Sequence, residues 1–141
     1  ETWRLRNSRW VSAVSLAGPI SNLILGLILA VILRLSPVTS GGVWPGLAFL
    51  ALLQITAALL NLIPLPPFDG YGAIEPYLNR EVRLRMAETR GALVWIVFLV
   101  LWYVPFINDL FWKSVFLIAN GLGIPLNLAG LGLQLFQFWR R

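Results

Sequence analysis

The sequence contains no cysteine and few charged residues. Without cysteine the chain has no disulfide framework and no thiolate site. Charged residues make up 12% of the chain, whereas soluble domains carry about 25%. Hydrophobic residues make up 58%, and the mean hydropathy is +0.77. Because so few charges cannot cover a water-facing surface, the composition excludes an ordinary soluble domain and predicts an all-α integral membrane protein.

The formal net charge is +5, but the arginines do not form a nucleic-acid-binding surface. They occur in short groups at residues 4–9, 80–90 and 140–141, and each group flanks an apolar segment. Charges in such positions set the orientation of membrane spans. We therefore expect the lipid bilayer, and no nucleic acid, as a partner.

Four apolar segments divide the chain, at residues 11–33, 46–63, 91–107 and 110–139. Segments of this length are long enough, or nearly so, to cross a hydrocarbon core of about 30 Å as helices. The fourth contains Lys113 and the softer stretch GLGIPLNLAGLG, so a tilted span, a broken helix and a re-entrant piece all stay open. The pattern predicts one membrane domain over residues 1–141, a bundle of about four transmembrane helices.

The arginine groups also predict the orientation of this multi-pass domain. Arginine is frequent before the first span, between the second and third, and at the end of the chain, but the 34–45 connection holds only Arg34. Arginine-rich connections face the cytoplasm. Both termini and the 79–90 connection are therefore predicted to be cytoplasmic.

Each of the first two spans carries a stripe that differs from its surroundings. Residues four apart in the first span are small or polar, and in the second span two amides share one face. Small residues allow close helix packing, and amides need protein partners because lipid offers none. Packing and interhelical hydrogen bonding explain both stripes as well as a functional site does. The stripes consist of Gly18, Asn22, Gly26 and Ala30, and of Gln54, Ala58 and Asn61.

The second span ends in the string NLIPLPPFDG, residues 61–70. Its three prolines, Pro64, Pro66 and Pro67, each lack a backbone donor and resist helical geometry. An irregular proline-rich segment is therefore predicted after the second span. At membrane depth such backbone is tolerated only when it is buried in protein or lines a cavity.

Asp69 lies at the end of this segment, beside Gly70. A carboxylate near membrane depth costs about 2.5–3.5 kcal/mol, so it usually has a cation or a hydrogen-bond donor as partner. Metal ligation would provide one. A cap on a helix beginning near Tyr71 would provide another. The residues alone leave both alternatives open.

Two strings resemble motifs of the site-2 protease family, zinc metalloproteases that cleave substrates within the membrane. NLIPLPPFDG is similar to that family's Asn-x-x-Pro-x-Pro-x-x-Asp-Gly motif, and AGPISN (residues 17–22) to its Ala-Gly-Pro-x-x-Asn segment. The resemblance covers residues 3–78. It implies that Asp69 is a carboxylate zinc ligand and that Asn61 holds the substrate strand. It also implies that the proline-rich segment shapes the site, with possible support from Asn22, Gln54, Pro64, Pro66 and Gly70.

The chain departs from that family in having no histidine. The family's other two zinc ligands and its general base come from a His-Glu-x-x-His helix. Catalytic zinc takes about three protein ligands, so zinc is expected in the intact parent enzyme and not in this chain alone. Glu75 is a conceivable second acid, but an interfacial position before Pro76 explains it better.

Two accounts fit this departure. In the first, the chain is the C-terminal part of a larger protease that cleaves transmembrane proteins by metal-assisted hydrolysis, and upstream helices are its missing partners. In the second, it is a catalytically inactive relative that acts as a membrane scaffold or binds partners. The non-methionine first residue, Glu1, favours the first account.

Overall fold

A computed structural model describes residues 7–36 and 39–137. Within these ranges every regular element is helical, which confirms the predicted all-α class. The described residues form six α-helices and one 3-10 helix, Glu75–Tyr77, which follows the third α-helix. The α-helices are α1 (Ser8–Leu35), α2 (Trp44–Asn61), α3 (Asp69–Ile74), α4 (Arg80–Tyr103), α5 (Pro105–Gly121) and α6 (Leu126–Phe136).

Helices α1 and α2 are each long and apolar enough to cross a membrane. They match the first two predicted spans, although α1 extends beyond residues 11–33 at both ends and continues through Pro19. Helix α2 ends at Asn61, two residues before the predicted limit at Ile63. The next proline explains the earlier end, because the residue before a proline disfavours helical geometry.

In the region of the third and fourth predicted spans, the helix bounds differ from residues 91–107 and 110–139. Helix α4 begins at Arg80, where the side chain of Asn79 accepts a hydrogen bond from the Val82 amide at 2.9 Å. It ends at Tyr103, and the chain bends by 87° into α5. Val104 is extended at the bend because Pro105 follows it. The α4–α5 pair counts as at most one broken span, so two or three candidate spans are present in the described residues.

The apolar stretch at residues 110–139 is divided between two helices. Helix α5 ends at Gly121, and Gly123 has a φ of +75°, a conformation that ends a helix and favours glycine. Helix α6 follows Pro125 and has 11 residues, about 16 Å at 1.5 Å per residue. That length is too short for a span, so the predicted fourth span is not a continuous helix.

The described residues form two compact units. The first contains residues up to Ile20 together with Ala58–Leu110. Its buried apolar side chains are Ala58, Phe68, Tyr71, Ala73 and Val97. This unit contains the start of α1, the proline-rich segment, α3 and α4.

The second unit contains Ser21–Ala57 and the residues from Phe111 onward. Small side chains make up much of its core, which allows the helices to approach closely. Gly132 of α6 shows this most clearly, because a Cβ atom built there would lie 2.1 Å from the Pro45 carbonyl oxygen of α2. The buried apolar side chains of this second unit are Leu29, Ala30, Leu33, Ala48, Ala51, Ile55, Val115, Ala119, Ile124, Leu128 and Ala129.

Candidate functional site

The proline-rich segment joins α2 to α3 by turns and bends over residues 62–68. The Pro66–Pro67 peptide bond is cis, and Pro66 is buried. Helix α3 begins at Asp69 itself, and its N-cap residue, Phe68, makes no side-chain capping bond. The alternative in which the Asp69 side chain caps a helix starting near Tyr71 is therefore wrong.

The Asp69 side chain lies against Gly18 of α1. A Cβ atom built on Gly18 would lie 2.7 Å from Asp69 Oδ2, so only glycine leaves the carboxylate its present position. Gly18 belongs to AGPISN and Asp69 to NLIPLPPFDG, so the fold brings the two motifs into contact. Asp69 is half-buried and has no hydrogen-bond or ion-pair partner among the described residues.

Two serines of α1 extend this contact along α3. The Ser12 hydroxyl donates to the Ala73 carbonyl oxygen at 2.6 Å, and Ser8 O lies within 3.1 Å of the same Oγ. One turn further on, a Cβ atom built on Gly72 would lie 2.6 Å from Ser15 Oγ. The sequence prediction missed both serines. Their three-residue spacing, which leads to Gly18, would have placed them on the same face of α1.

Gly70 lets the proline-rich segment fold back onto the beginning of α3. A Cβ atom built on Gly70 would lie 2.2 Å from the Leu62 carbonyl oxygen and 2.7 Å from that of Ile63. Both neighbours are backbone atoms, which cannot swing aside as a side chain can. The glycine next to Asp69 is therefore needed for the loop geometry that positions the carboxylate.

The other predicted site residues occupy different positions. Asn61 is the last residue of α2, is half-buried and belongs to the same unit as Asp69. Pro64 of the same unit is exposed. Asn22 and Gln54 are half-buried members of the second unit. Their supporting role stays a prediction, as does the role of Asn61.

Tyr71 is a buried residue that the sequence prediction did not assign to the site. Its side chain is 8% exposed, and the hydroxyl group has no hydrogen-bond partner among the described residues. Burial raises the pKa of Tyr71, and the nearby Glu75 carboxylate raises it further, while Arg83 and Arg90 oppose the shift. Glu75 is half-buried in the 3-10 helix after α3.

The donor set of this chain does not fit zinc by itself. Within residues 7–36 and 39–137, no three His, Cys, Asp or Glu side chains come together as a metal site. Asp69 offers one carboxylate, and the sequence has no histidine to join it. Since catalytic zinc needs about three protein ligands, further ligands would have to come from outside these 141 residues.

Comparison with known proteins supports the family resemblance that the two motifs indicate. The chain is 40% identical over 135 residues to "Putative zinc metalloprotease Rip2" of Mycolicibacterium smegmatis, and 40% identical over 141 residues to the protein of that name from Mycobacterium tuberculosis H37Rv. The chain belongs to the same family as these metalloproteases. A more distant member, "Putative zinc metalloprotease YwhC" of Bacillus subtilis, is 38% identical over 112 residues.

These alignments cover most of this chain but only part of each relative. They include 94%, 98% and 72% of the chain, against 51%, 53% and 50% of the respective relatives. The chain thus spans about half the length of the curated relatives it matches. No family model and no solved structure matches it. The resemblance stated from two short motifs is confirmed by relatives aligned along nearly the whole chain.

Proposed function

We propose that this chain is the membrane-embedded C-terminal part of a site-2 protease-type zinc metalloprotease that hydrolyses peptide bonds within the membrane. The observation that carries the proposal is the contact between Gly18 and the Asp69 carboxylate. This contact brings together the two strings that resemble site-2 protease motifs, AGPISN and NLIPLPPFDG. The Asp69 side chain has no hydrogen-bond or ion-pair partner among the described residues.

Asp69 would supply one carboxylate ligand to zinc in the intact protein. Three features hold the Asp69 carboxylate in position. Gly18 leaves space for it on α1, Gly70 beside it allows the close approach of the proline-rich segment, and the Ser12 hydroxyl donates a hydrogen bond from α1 to α3. A half-buried carboxylate without a cation or donor is costly near a membrane. A metal ion completed by ligands outside this chain would remove that cost.

Asn61 would hold the substrate strand near the same site. It ends α2 at the point where the proline-rich segment begins, and it lies in the same unit as Asp69. Its amide can both donate to and accept from an extended peptide backbone, which is what holding an unwound substrate strand requires. The substrate would be a transmembrane protein, since the described part of the chain holds two or three candidate membrane spans beside the site.

In this arrangement both termini of the chain and the connection before α4 would face the cytoplasm. Arg80, Arg83, Arg85 and Arg90 all lie at the beginning of α4, before its apolar part. Their side chains are exposed, and basic residues of this kind are concentrated on the cytoplasmic side.

Cleavage of a model transmembrane substrate by the full-length protein, reconstituted in lipid, tests this function. We expect Asp69→Asn to abolish cleavage while membrane insertion is unchanged. Glu88→Gln is a matched control, because it removes one negative charge from an exposed position on α4. Full activity of Asp69→Asn would contradict the assignment. A wild-type protein that neither cleaves nor binds zinc would instead indicate an inactive scaffold.

A further inference from the structure

The beginning of α4 carries arginines and glutamates on different sides of the helix. Arg83 and Arg90 are seven residues apart, which places them about 20° apart around the axis and roughly 10 Å apart along it. Glu81 and Glu88 each precede one of these arginines by two residues, a spacing that places them roughly on the opposite side. All four side chains are exposed.

The ion pair on this part of α4 lies on the side of the glutamates, opposite Arg83 and Arg90. Arg85 pairs with Glu81, four residues earlier, on the acidic side of the helix. Arg83 and Arg90 have no ion-pair partner among the described residues. Tyr71 is near enough to both arginines to interact with them electrostatically, but it forms no ion pair with either. The guanidinium groups of Arg83 and Arg90 thus lie on one side of α4 without an ion pair in the described part of the chain.

The apolar part of the same helix begins directly after Arg90. Residues 91–103 contain no charge, and the large side chains Trp95 and Trp102 are 71% and 81% exposed. Together with α5, this helix is long and apolar enough to form a broken membrane span or a re-entrant loop. If α4 enters the membrane with its apolar part, Arg90 would lie at the edge of the hydrocarbon region, and Arg83 would lie about two turns further out, at the level of the lipid headgroups.

We infer that Arg83 and Arg90 form a binding surface for anionic phospholipid headgroups. A guanidinium group matches a phosphate with two parallel hydrogen bonds, and it is more weakly hydrated than an ammonium group. The two arginines are spaced along the membrane normal at headgroup depth, and the glutamates face away from them. This inference depends on membrane insertion of α4 and not on the protease assignment.

Native mass spectrometry of the chain in detergent micelles that contain equal amounts of phosphatidylglycerol and phosphatidylcholine tests the inference. The measured quantity is the ratio of bound phosphatidylglycerol to bound phosphatidylcholine. Each arginine near an anionic surface contributes about 1 kcal/mol, which is about fivefold in affinity. We expect Arg83→Gln and Arg90→Gln each to lower the ratio about fivefold, and the double variant to lower it further.

Arg85→Gln is the matched control, since it removes the same charge from the same helix on the side that faces the glutamates. It should leave the ratio nearly unchanged, and the double variant Arg83→Lys with Arg90→Lys should keep most of the preference. Unchanged helicity by circular dichroism shows that the variants are folded. An equal effect of Arg85→Gln and Arg83→Gln would overturn the inference, as would a wild-type chain with no preference for phosphatidylglycerol.

Discussion

Gly18 of α1 leaves the space that the Asp69 carboxylate occupies at the start of α3. The two residues are far apart in the sequence and belong to separate motifs, yet a single added methyl group at Gly18 would reach Oδ2. If Asp69 is a zinc ligand, as proposed, this contact gives Gly18 a role in positioning the ligand in addition to helix packing.

Gly18→Ala should reduce cleavage by the full-length protein by about 10- to 100-fold, because a misplacement of about 1 Å in an active site has effects of that size. The fold should survive, since the obstructed atom is the end of a side chain that can rotate away. Gly91→Ala is the control: it also replaces a helical glycine, but no atom lies within 4 Å of its Cβ position. Equal activity of the two variants would show that the contact does not matter for the reaction.

Ser12→Ala should destabilise the chain by about 1 kcal/mol, because the Ser12 hydroxyl donates to the Ala73 carbonyl across the α1–α3 contact. Thermal unfolding in detergent measures the effect. The Thr89 hydroxyl bonds only within its own helix, to the Arg85 carbonyl at 2.9 Å, so Thr89→Ala provides the comparison. If both variants unfold at the same temperature, the Ser12 bond contributes nothing specific to the position of α3.

Gly132→Ala should destabilise the second unit by about 1–3 kcal/mol, the usual cost of overpacking. The new methyl group would lie 2.1 Å from the Pro45 carbonyl oxygen and 2.6 Å from Phe49 Cβ. Gly130→Ala, on the same helix with open space around its Cβ position, gains the same helix propensity without the collision. The difference between their unfolding temperatures isolates the collision, and no difference would contradict the packing described for α6.

Tyr71→Phe should change the response of the chain to alkaline pH. Burial raises the pKa of Tyr71 above its ordinary value of 10.0, so the folded chain holds this proton more tightly than the unfolded chain does. The stability linked to this group is complete below pH 10 and is lost as the pH rises above it. The variant should not lose this stability at alkaline pH. It should also be at least as stable as the wild type at neutral pH, because phenylalanine has no hydroxyl group and so removes the buried, unpaired Tyr71 hydroxyl. Parallel profiles of unfolding temperature against pH would contradict this account.

The sequence predicted the parts of this fold that depend on composition and local chemistry. Helices α1 and α2 were found because long uncharged segments have no alternative to a membrane-spanning helix. The later helix bounds differ from the predicted ones at Pro105 and Pro125, because both prolines interrupt helical structure inside segments whose hydrophobicity suggested continuous spans. The start of α4 was missed because its charged first turns looked like a connection, although Asn79 caps a continuous helix there.

Some residues of the candidate site were singled out from the sequence, but their contacts were not. Asp69 and Gly18 were both identified, one as an acid that needs a partner and the other as a packing residue. Their contact depends on the path of residues 62–68, and single-sequence patterns do not determine how a proline-rich loop returns to an earlier helix. For the same reason Ser12 and Ser15 were overlooked, since the role of a serine in a helix depends on the residues that it contacts in the folded chain.

The zinc content of the purified full-length protein tests the central claim most directly, because it needs no knowledge of the substrate. This account predicts about one zinc ion per wild-type chain, the content of a single catalytic site. It predicts a much lower content in Asp69→Asn and no stoichiometric zinc in the isolated 141-residue chain. Equal zinc in the wild type and in Asp69→Asn would contradict the claim that the carboxylate facing Gly18 is a metal ligand.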